Sequence, residues 1–298
     1  MIRANMKMAE LTVGELTHSR EPTKPGKDVV IRSNQDTLYS AVVLDLSKPV
    51  TLTLPEIGER YMSAHVINQD HYSFVETKPG NYTLTEELVG TRFAIVWIRT
   101  FADVNDSNDI AEAHKAQDRI VVSGGGPGPF EAPDWNTEDL AVIRKALSDV
   151  AALGFDSKYA FGRKDEVRPV DHLIGAAAGW AGLPSTASYY VIDSVTANDG
   201  TTPHAVTVKD VPVGAFWSIT VYNADGFLES NDLNRNSYNN VTAKKNDDGS
   251  ITIHFGGDPK SVNYLPITKS WNYLIRMYEP SPEILDGSWT FPKIEPAG

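Results

Sequence analysis

The chain has 298 residues, 41% of them hydrophobic and 22% charged, with a formal net charge of −12 and no cysteine. That length exceeds what one hydrophobic core usually serves, and the composition is that of a folded protein rather than a fibrous or disordered one. The negative field repels phosphate backbones and anionic lipid, so nucleic acid is not an expected partner, and the absence of cysteine removes disulfides, thiolate nucleophiles and sulfur-ligated metals.

The opening, "MIRANMKMAELTVGELTHSREP", has no continuous apolar core of the kind a signal peptide needs. A cytoplasmic location is expected for the chain as given, and a periplasmic or exported one if a signal segment was removed. Residues 28–101 then read as strands, rich in β-branched and aromatic residues: "YSAVVLDLS", "VTLTLPEIG", "YMSAHVINQD" and "RFAIVWIRT".

From about residue 104 the period changes. "NDSNDIAEAHKAQDRIVV" starts on Asn and Asp caps and sets Ile110, Ala113, Ala116 or Gln117, and Ile120 near one face, as an amphipathic helix does. "GGGPGP" at 124–129 breaks it. Those glycines follow a helical pattern and precede Pro-Phe, so they lack the strand-before, helix-after setting of a phosphate-binding loop. Asn136 or Thr137 caps a second helix with a stripe of Leu140, Ile143, Leu147 and Val150, and a third runs through "PVDHLIGAAAGWAGL", with Pro169 in its first turn and Gly182 near its end. Its "GAAAGWAGL" is far short of the roughly 20 apolar residues that cross a bilayer, so no membrane is expected.

Strands return at 187: "SYYVIDSVT", "HAVTVKDVPV", "FWSITVYNADG", "SITIHFGG" and "NYLIRMYEP", separated by turns such as "NADG" and "NDDG". The expected fold is mainly β, with two β-sandwich, jelly-roll-like domains joined by a helical segment. The boundaries are an N-terminal β domain at 1–103, a helical segment at 104–185 belonging to it, and a C-terminal β-sandwich at 186–298.

No serine-nucleophile elbow, HExxH or EF-hand is present. "HVINQDHY" gathers His65, Asp70 and His71. On one straight strand the two imidazoles share a face about 20 Å apart at ~3.3 Å per residue, too far to share a metal, whereas a turn at Asn68 and Gln69 folds them together. A histidine beside an aspartate suits a general base, and the plainer alternative sets His71 at a strand tip in solvent.

"IRSNQDTLYS" at 31–40 reads as the opening of a buried strand whose alternation puts Arg32, Asn34 and Asp36 on one face. Buried groups of this kind need partners. They either staple a turn and pair the arginine with a carboxylate, or form a polar wall facing a ligand. In the C-terminal half, Trp217, Ile219 and Val221 alternate with Ser218, Thr220 and Tyr222, and Tyr273, Ile275 and Met277 with Leu274, Arg276 and Tyr278. Arg276 among apolar neighbours wants an acid or an anionic ligand, and Trp217 is a core residue or an aromatic ligand contact.

"REP" at 20–22, "VIRSNQDTLYSAVVLDLSKPVTLTLPEIGERYMSAHVINQDHY", "GTRFAIVWIRTF" and "AEAHKAQDRI" resemble the bacterial family called domain of unknown function 1254. "VPVGAFWSITVYNADGFLESNDLNRNSYNN", "DGSITIHFGG" and "NYLPITKSWNYLIRMYEPSPEILDGSWTFPKI" resemble its usual C-terminal partner, domain of unknown function 1214. The resemblance implies two sandwich or jelly-roll-like halves with helices between them, often in exported bacterial proteins, and implies no activity. Many relatives read Asn-Trp-Leu-Pro where this chain has Asn263-Tyr264-Leu265-Pro266.

The leading expectation is a hydrolase or lyase acting on a small polar or sugar-like molecule in a cleft between the two β domains. Its catalytic set is His65, Asp70, His71 and Asp36, and its ligand set is Arg32, Asn34, Tyr39, Trp217, Tyr222 and Arg276. The alternative is a non-catalytic ligand-binding or assembly module, since jelly rolls serve both ends. A small-molecule ligand is expected and no organic cofactor; a divalent metal and a homo-oligomer are left open.

Overall fold

The computed structural model describes residues 1–26, 28, 31–154 and 157–297, and the chain is mainly β. In chain order its strands are β1 (Thr17–Ser19), β2 (Thr37–Asp45), β3 (Val50–Leu54), β4 (Met62–Asn68), β5 (Ser73–Glu76), β6 (Gly80–Leu84), β7 (Phe93–Phe101) and β8 (Val121–Gly124), followed by β9 (Ser188–Asp193), β10 (His204–Val208), β11 (Trp217–Tyr222), β12 (Ser237–Asn239), β13 (Ile251–Phe255), β14 (Tyr264–Leu265), β15 (Asn272–Tyr278) and β16 (Glu295–Pro296). The helices are α1 (Ile2–Met8), α2 (Glu86–Val89), α3 (Ser107–Asp118), α4 (Thr137–Ala151), α5 (Pro169–Ala178) and α6 (Pro282–Asp286). Among the described residues no helix is long and apolar enough to cross a membrane. The chain divides into two units, one of residues 1–20, 38–101 and 111–185 and the other of 21–37, 102–110 and 186–298.

In the first unit a five-stranded sheet, ordered β1-β2-β7-β4-β5, packs on a three-stranded sheet, ordered β6-β3-β8. Alternation delivers Val42, Leu44, Val66, Val96 and Ile98 from the larger sheet to Leu52, Leu54 and Leu84 of the smaller, in one core. The opposite face of the larger sheet is also covered, with Ala41, Val43, Ile67 and Ile95 packing against Ile2, Leu11, Phe130 and Trp180. Burial on both faces is the reason these strands read as continuous apolar runs instead of an in-out alternation.

The glycine run begins at the end of a strand, β8, rather than directly after a helix. Its role is to close around Asp45. Arg92 grips that buried carboxylate with two hydrogen bonds, Nε to Oδ1 at 2.9 Å and Nη2 to Oδ2 at 3.0 Å, while the backbone N–H of Gly128 donates to Oδ2 at 3.1 Å. The Arg92 bonds hold the Asp45 carboxyl well below the usual carboxylate range. A Cβ on Gly126 would collide with Ser47 Oγ and with the Asp45 carboxyl. Gly126→Ala is therefore expected to destabilise the protein by about 1–3 kcal/mol, measured by urea denaturation, because the Asp45 carboxyl cannot retreat without breaking its bonds to Arg92 and Gly128.

In the second unit, two four-stranded sheets, β12-β11-β15-β9 and β14-β13-β10-β16, face each other. Trp217, Ile219, Ile275 and Met277 of the first interlock with Val206, Ile253, Phe255 and Leu265 of the second around Trp271. Trp217 is a core side chain in an edge-to-face contact with Phe291 at 5.3 Å, and not the ligand contact expected from the sequence. The other face of the β11–β15 sheet carries Ser218, Thr220, Tyr222, Arg276 and Tyr278, all buried.

Helix signals in the middle of the chain translate directly. The Asn136 side chain accepts from the N–H groups of Glu138 and Asp139, and Pro169 occupies the first turn of α5. The stripe of α4 behaves differently from a core-facing one: Leu140, Ile143 and Val150 remain 45%, 57% and 46% exposed.

Candidate functional site

The sequence-selected residues fall into two groups, each inside one unit. In the second unit, residues 31–36 do not extend the strand, because Arg32 has a left-handed backbone (φ 54) and β2 starts only at Thr37. The alternation drawn through this stretch thus does not apply, yet its polar groups converge on the buried face of the β11–β15 sheet. Arg276 donates from Nη2 to the carbonyl of Arg32 at 2.7 Å and to Tyr222 Oη at 2.9 Å, and from Nη1 to Thr220 Oγ1 at 3.0 Å. Tyr222 Oη donates to the carbonyl of Ser33 at 2.7 Å. Asn34 Nδ2 reaches Tyr278 Oη at 3.1 Å, and Asn34 Oδ1 accepts from the N–H of Asp36 at 2.9 Å. Arg32 thus contributes its carbonyl to the network.

Asp36 is 2% exposed. One carboxyl oxygen accepts from Ser237 Oγ and Asn239 Nδ2, each at 3.2 Å. Burial pushes its pKa up, against the pull of Arg276 and of these hydrogen bonds. Arg276 is held above its ordinary value: burial works against its charge, and Tyr222, Tyr278 and Asp36 outweigh burial. The arrangement fixes residues 32–36 against the sheet.

In the first unit, β4 and β5 form a hairpin, so the turn after His65 replaces the straight strand. Asn68 organises it: Oδ1 accepts from the N–H groups of Asp70 and Tyr72 at 2.9 and 3.0 Å, and Nδ2 donates to the carbonyl of Val89 at 2.9 Å. His71 takes a left-handed conformation (φ 70) and turns its ring inward, where Nε2 accepts the N–H of Ala181 at 2.9 Å. It is buried, contrary to the solvent-tip alternative. Burial, with His172 nearby, lowers its pKa to about 4. His65 is fully buried, and burial, with Arg99 and His71, holds it well below its ordinary value. Both imidazoles are therefore neutral at pH 7. Tyr39 meets Trp97 edge-on at 6.2 Å and lies under the Arg99 guanidinium at 5.5 Å.

Asp70 points elsewhere. Its carbonyl meets His172 Nε2 at 3.2 Å, and its side of the hairpin lines a cavity of about 280 Å³ together with Tyr72, Ser73, Arg163 and Lys164. Val66 and Leu88 supply an apolar wall. The Arg163 guanidinium lies over Phe74, 4.2 Å from the ring centroid, and the Tyr72 ring stacks on His172 at 4.7 Å. Sequence reading passed over Arg163 and Lys164, which sit in an irregular stretch before α5 with no period to mark them; "GRK" directly after Phe161 was the available signal. Among the described residues, no three His, Cys, Asp or Glu side chains come together as a metal ligand set.

Two family models match the chain in tandem. "Protein of unknown function (DUF1254)" covers residues 13–124 and "Protein of unknown function (DUF1214)" covers 188–282. Among solved structures, the VPA0106 protein from Vibrio parahaemolyticus is similar at 19% identity and a TM-score of 0.77, over 100% of this chain and 95% of that one. An uncharacterized protein from Burkholderia cenocepacia is similar at 17% identity and a TM-score of 0.53, over 99% and 85%. Both likenesses speak to the fold alone. A search of curated proteins finds no match.

Proposed function

This chain belongs to the proteins that carry a DUF1254 domain followed by a DUF1214 domain, and from that premise we propose that it binds a small hydroxylated anion, such as a hydroxy acid or a sugar acid, in the cavity of its first unit. The observation that carries this reading is the cavity's lining: Arg163 and Lys164 face the same space of about 280 Å³ as Asp70. Two cations against one carboxylate give a locally positive hollow in a chain of net charge −12, which selects an anion. Arg163 is pre-oriented by its stacking on Phe74 and offers a planar fork to a carboxylate. Asp70 accepts hydrogen bonds from hydroxyl groups, and Val66 and Leu88 seat the carbon skeleton.

The test is calorimetric titration of the full chain with gluconate, glycerate and glycerol 3-phosphate, with uncharged glucose and glycerol as controls. An anionic polyol is expected to bind where the uncharged controls do not, and Lys164→Ala is expected to weaken binding by roughly tenfold, the loss of one charge-assisted hydrogen bond. Equal binding of charged and uncharged ligands, or an unaltered affinity in Lys164→Ala, overturns it.

A second reading, hydrolysis or elimination, is favoured by the presence of the Asp70 carboxylate in the same hollow as the two cations. A base beside an anion-holding pair is the arrangement that proton abstraction needs. Asp70→Asn would then abolish turnover while leaving calorimetric binding in place.

A further inference from the structure

A separate group of buried polar atoms lies on the other side of the five-stranded sheet. Ser63 Oγ, both ring nitrogens of His65, Nδ1 of His71 and Nε1 of Trp97 have no hydrogen-bond partner among the described residues. Ser63 and His65 are each 0% exposed and His71 is 7% exposed. The register explains their juxtaposition. Ser63 pairs with Arg99 and His65 with Trp97 across β4 and β7, which puts all four on the face that carries Ile67 and Ile95. His71 reaches this side from the hairpin, bonded to Ala181 and 5.8 Å from the Trp180 ring, both of which pack in the same cluster as Trp97.

The chemistry of these atoms is lopsided. His71 Nε2 already accepts from Ala181, so the neutral ring carries its proton on Nδ1 and presents a donor. Trp97 Nε1 is a donor only, and Ser63 and neutral His65 each offer one donor and at least one acceptor. A basic group borders them: Arg99 pairs with Ser63 across the register and bears on His65. Polar groups this deeply buried are satisfied in native proteins by a partner, and a surplus of donors beside a basic side chain is met best by a group that only accepts. We propose that Ser63, His65, His71 and Trp97 form a second ligand site, distinct from the cavity bearing Asp70, which holds a small carboxylate of the formate or acetate class. The inference stands independently of the reading of that cavity.

The experiment is an NMR titration of the full chain, labelled with 15N in histidine and tryptophan, against sodium formate, with sodium chloride at matched ionic strength as control. The ring nitrogens of His65 and the indole N–H of Trp97 are expected to shift saturably with formate and not with chloride. Trp97→Phe, which removes one donor while keeping an aromatic ring, is expected to raise the apparent dissociation constant by roughly tenfold, and Lys164→Ala to leave it unaltered. Should Trp97→Phe fail to fold, Ser63→Ala tests the same prediction at a smaller side chain. The proposal is overturned if no saturable shift occurs, if these protons exchange only with water and ignore formate, or if Lys164→Ala abolishes the response, which would place formate in the other cavity.

Discussion

Arg276→Met is expected to destabilise the protein by roughly 3–5 kcal/mol, the scale for removing one member of a buried charged network. Arg276 is 4% exposed and donates to Thr220, Tyr222 and the carbonyl of Arg32. Methionine fills much of the volume but takes away the donor that Thr220 Oγ1, Tyr222 Oη and the carbonyl of Arg32 each accept from, and leaves Asp36 buried without the cation that offsets its charge. A fall in melting temperature on the order of 10 °C should follow. Arg276→Lys should not restore it, since an ammonium cannot span the positions the planar fork reaches. Pairing Arg276→Met with Asp36→Asn should cost less than the two single changes together, because the second removes the charge that the first strands. A melting point for Arg276→Met within ~2 °C of the parent, about half of one kcal/mol, would show that the network contributes little.

Acidification is the second large effect, and its sign follows from the buried imidazoles. His71 has a pKa of about 4 in the folded chain against 6.5 as the ordinary value. The unfolded chain therefore binds more protons than the folded one between those limits, so stability is fully present above about pH 6.5 and falls as pH drops toward 4. From pH 7 to pH 5 His71 alone should remove about 2 kcal/mol, because the unfolded imidazole takes up a proton that the folded one, accepting from Ala181 on Nε2, does not. His65, lowered further, adds to the loss in the same direction. Asp45, lowered, adds its loss only below its ordinary value of 3.8, while Asp36, raised, works with the opposite sign, since its protonation on acidification relieves a buried charge. Urea denaturation at pH 7 and pH 5 measures the slope, and His71→Gln, which keeps an acceptor for the Ala181 N–H without titrating, should flatten it. Stability that is level or rising from pH 7 to pH 5 contradicts two neutral buried imidazoles.

Where a feature depends on neighbours in the chain, the sequence announced it. Asn136 caps α4, Pro169 starts α5, and runs such as "RFAIVWIRT" become a central strand of a sheet covered on both faces. Features set by distant contacts were opaque. The polar stretch at 31–36 looked like strand because it runs straight into the apolar β2, but its conformation answers to Arg276 and Tyr222, more than 180 positions away in sequence. The burial of His71 depends on a left-handed residue at the end of a turn organised by the Asn68 side chain, which no periodicity encodes. Arg163 and Lys164 fall in an irregular segment and acquire meaning only once the β4–β5 hairpin is beside them. The α4 stripe shows the converse: a helical pattern predicts a helix, and says nothing of whether its apolar side will be covered.

The clamp of Arg276 on the carbonyl of Arg32 joins positions 244 apart, and this governs how the second unit can be made. During synthesis the segment at 21–37 leaves the ribosome long before β11 and β15 exist, and must wait unpaired for nearly the whole chain. Folding of this unit is thus bound to completion of translation, and the large loop it closes predicts slow assembly. A fragment cut at the boundary of the matched C-terminal domain, 188–282, would leave Tyr222 and Arg276 without the carbonyls of Ser33 and Arg32 that they bond, so dissection of this protein requires supplying residues 21–37 in the same polypeptide or as an added peptide.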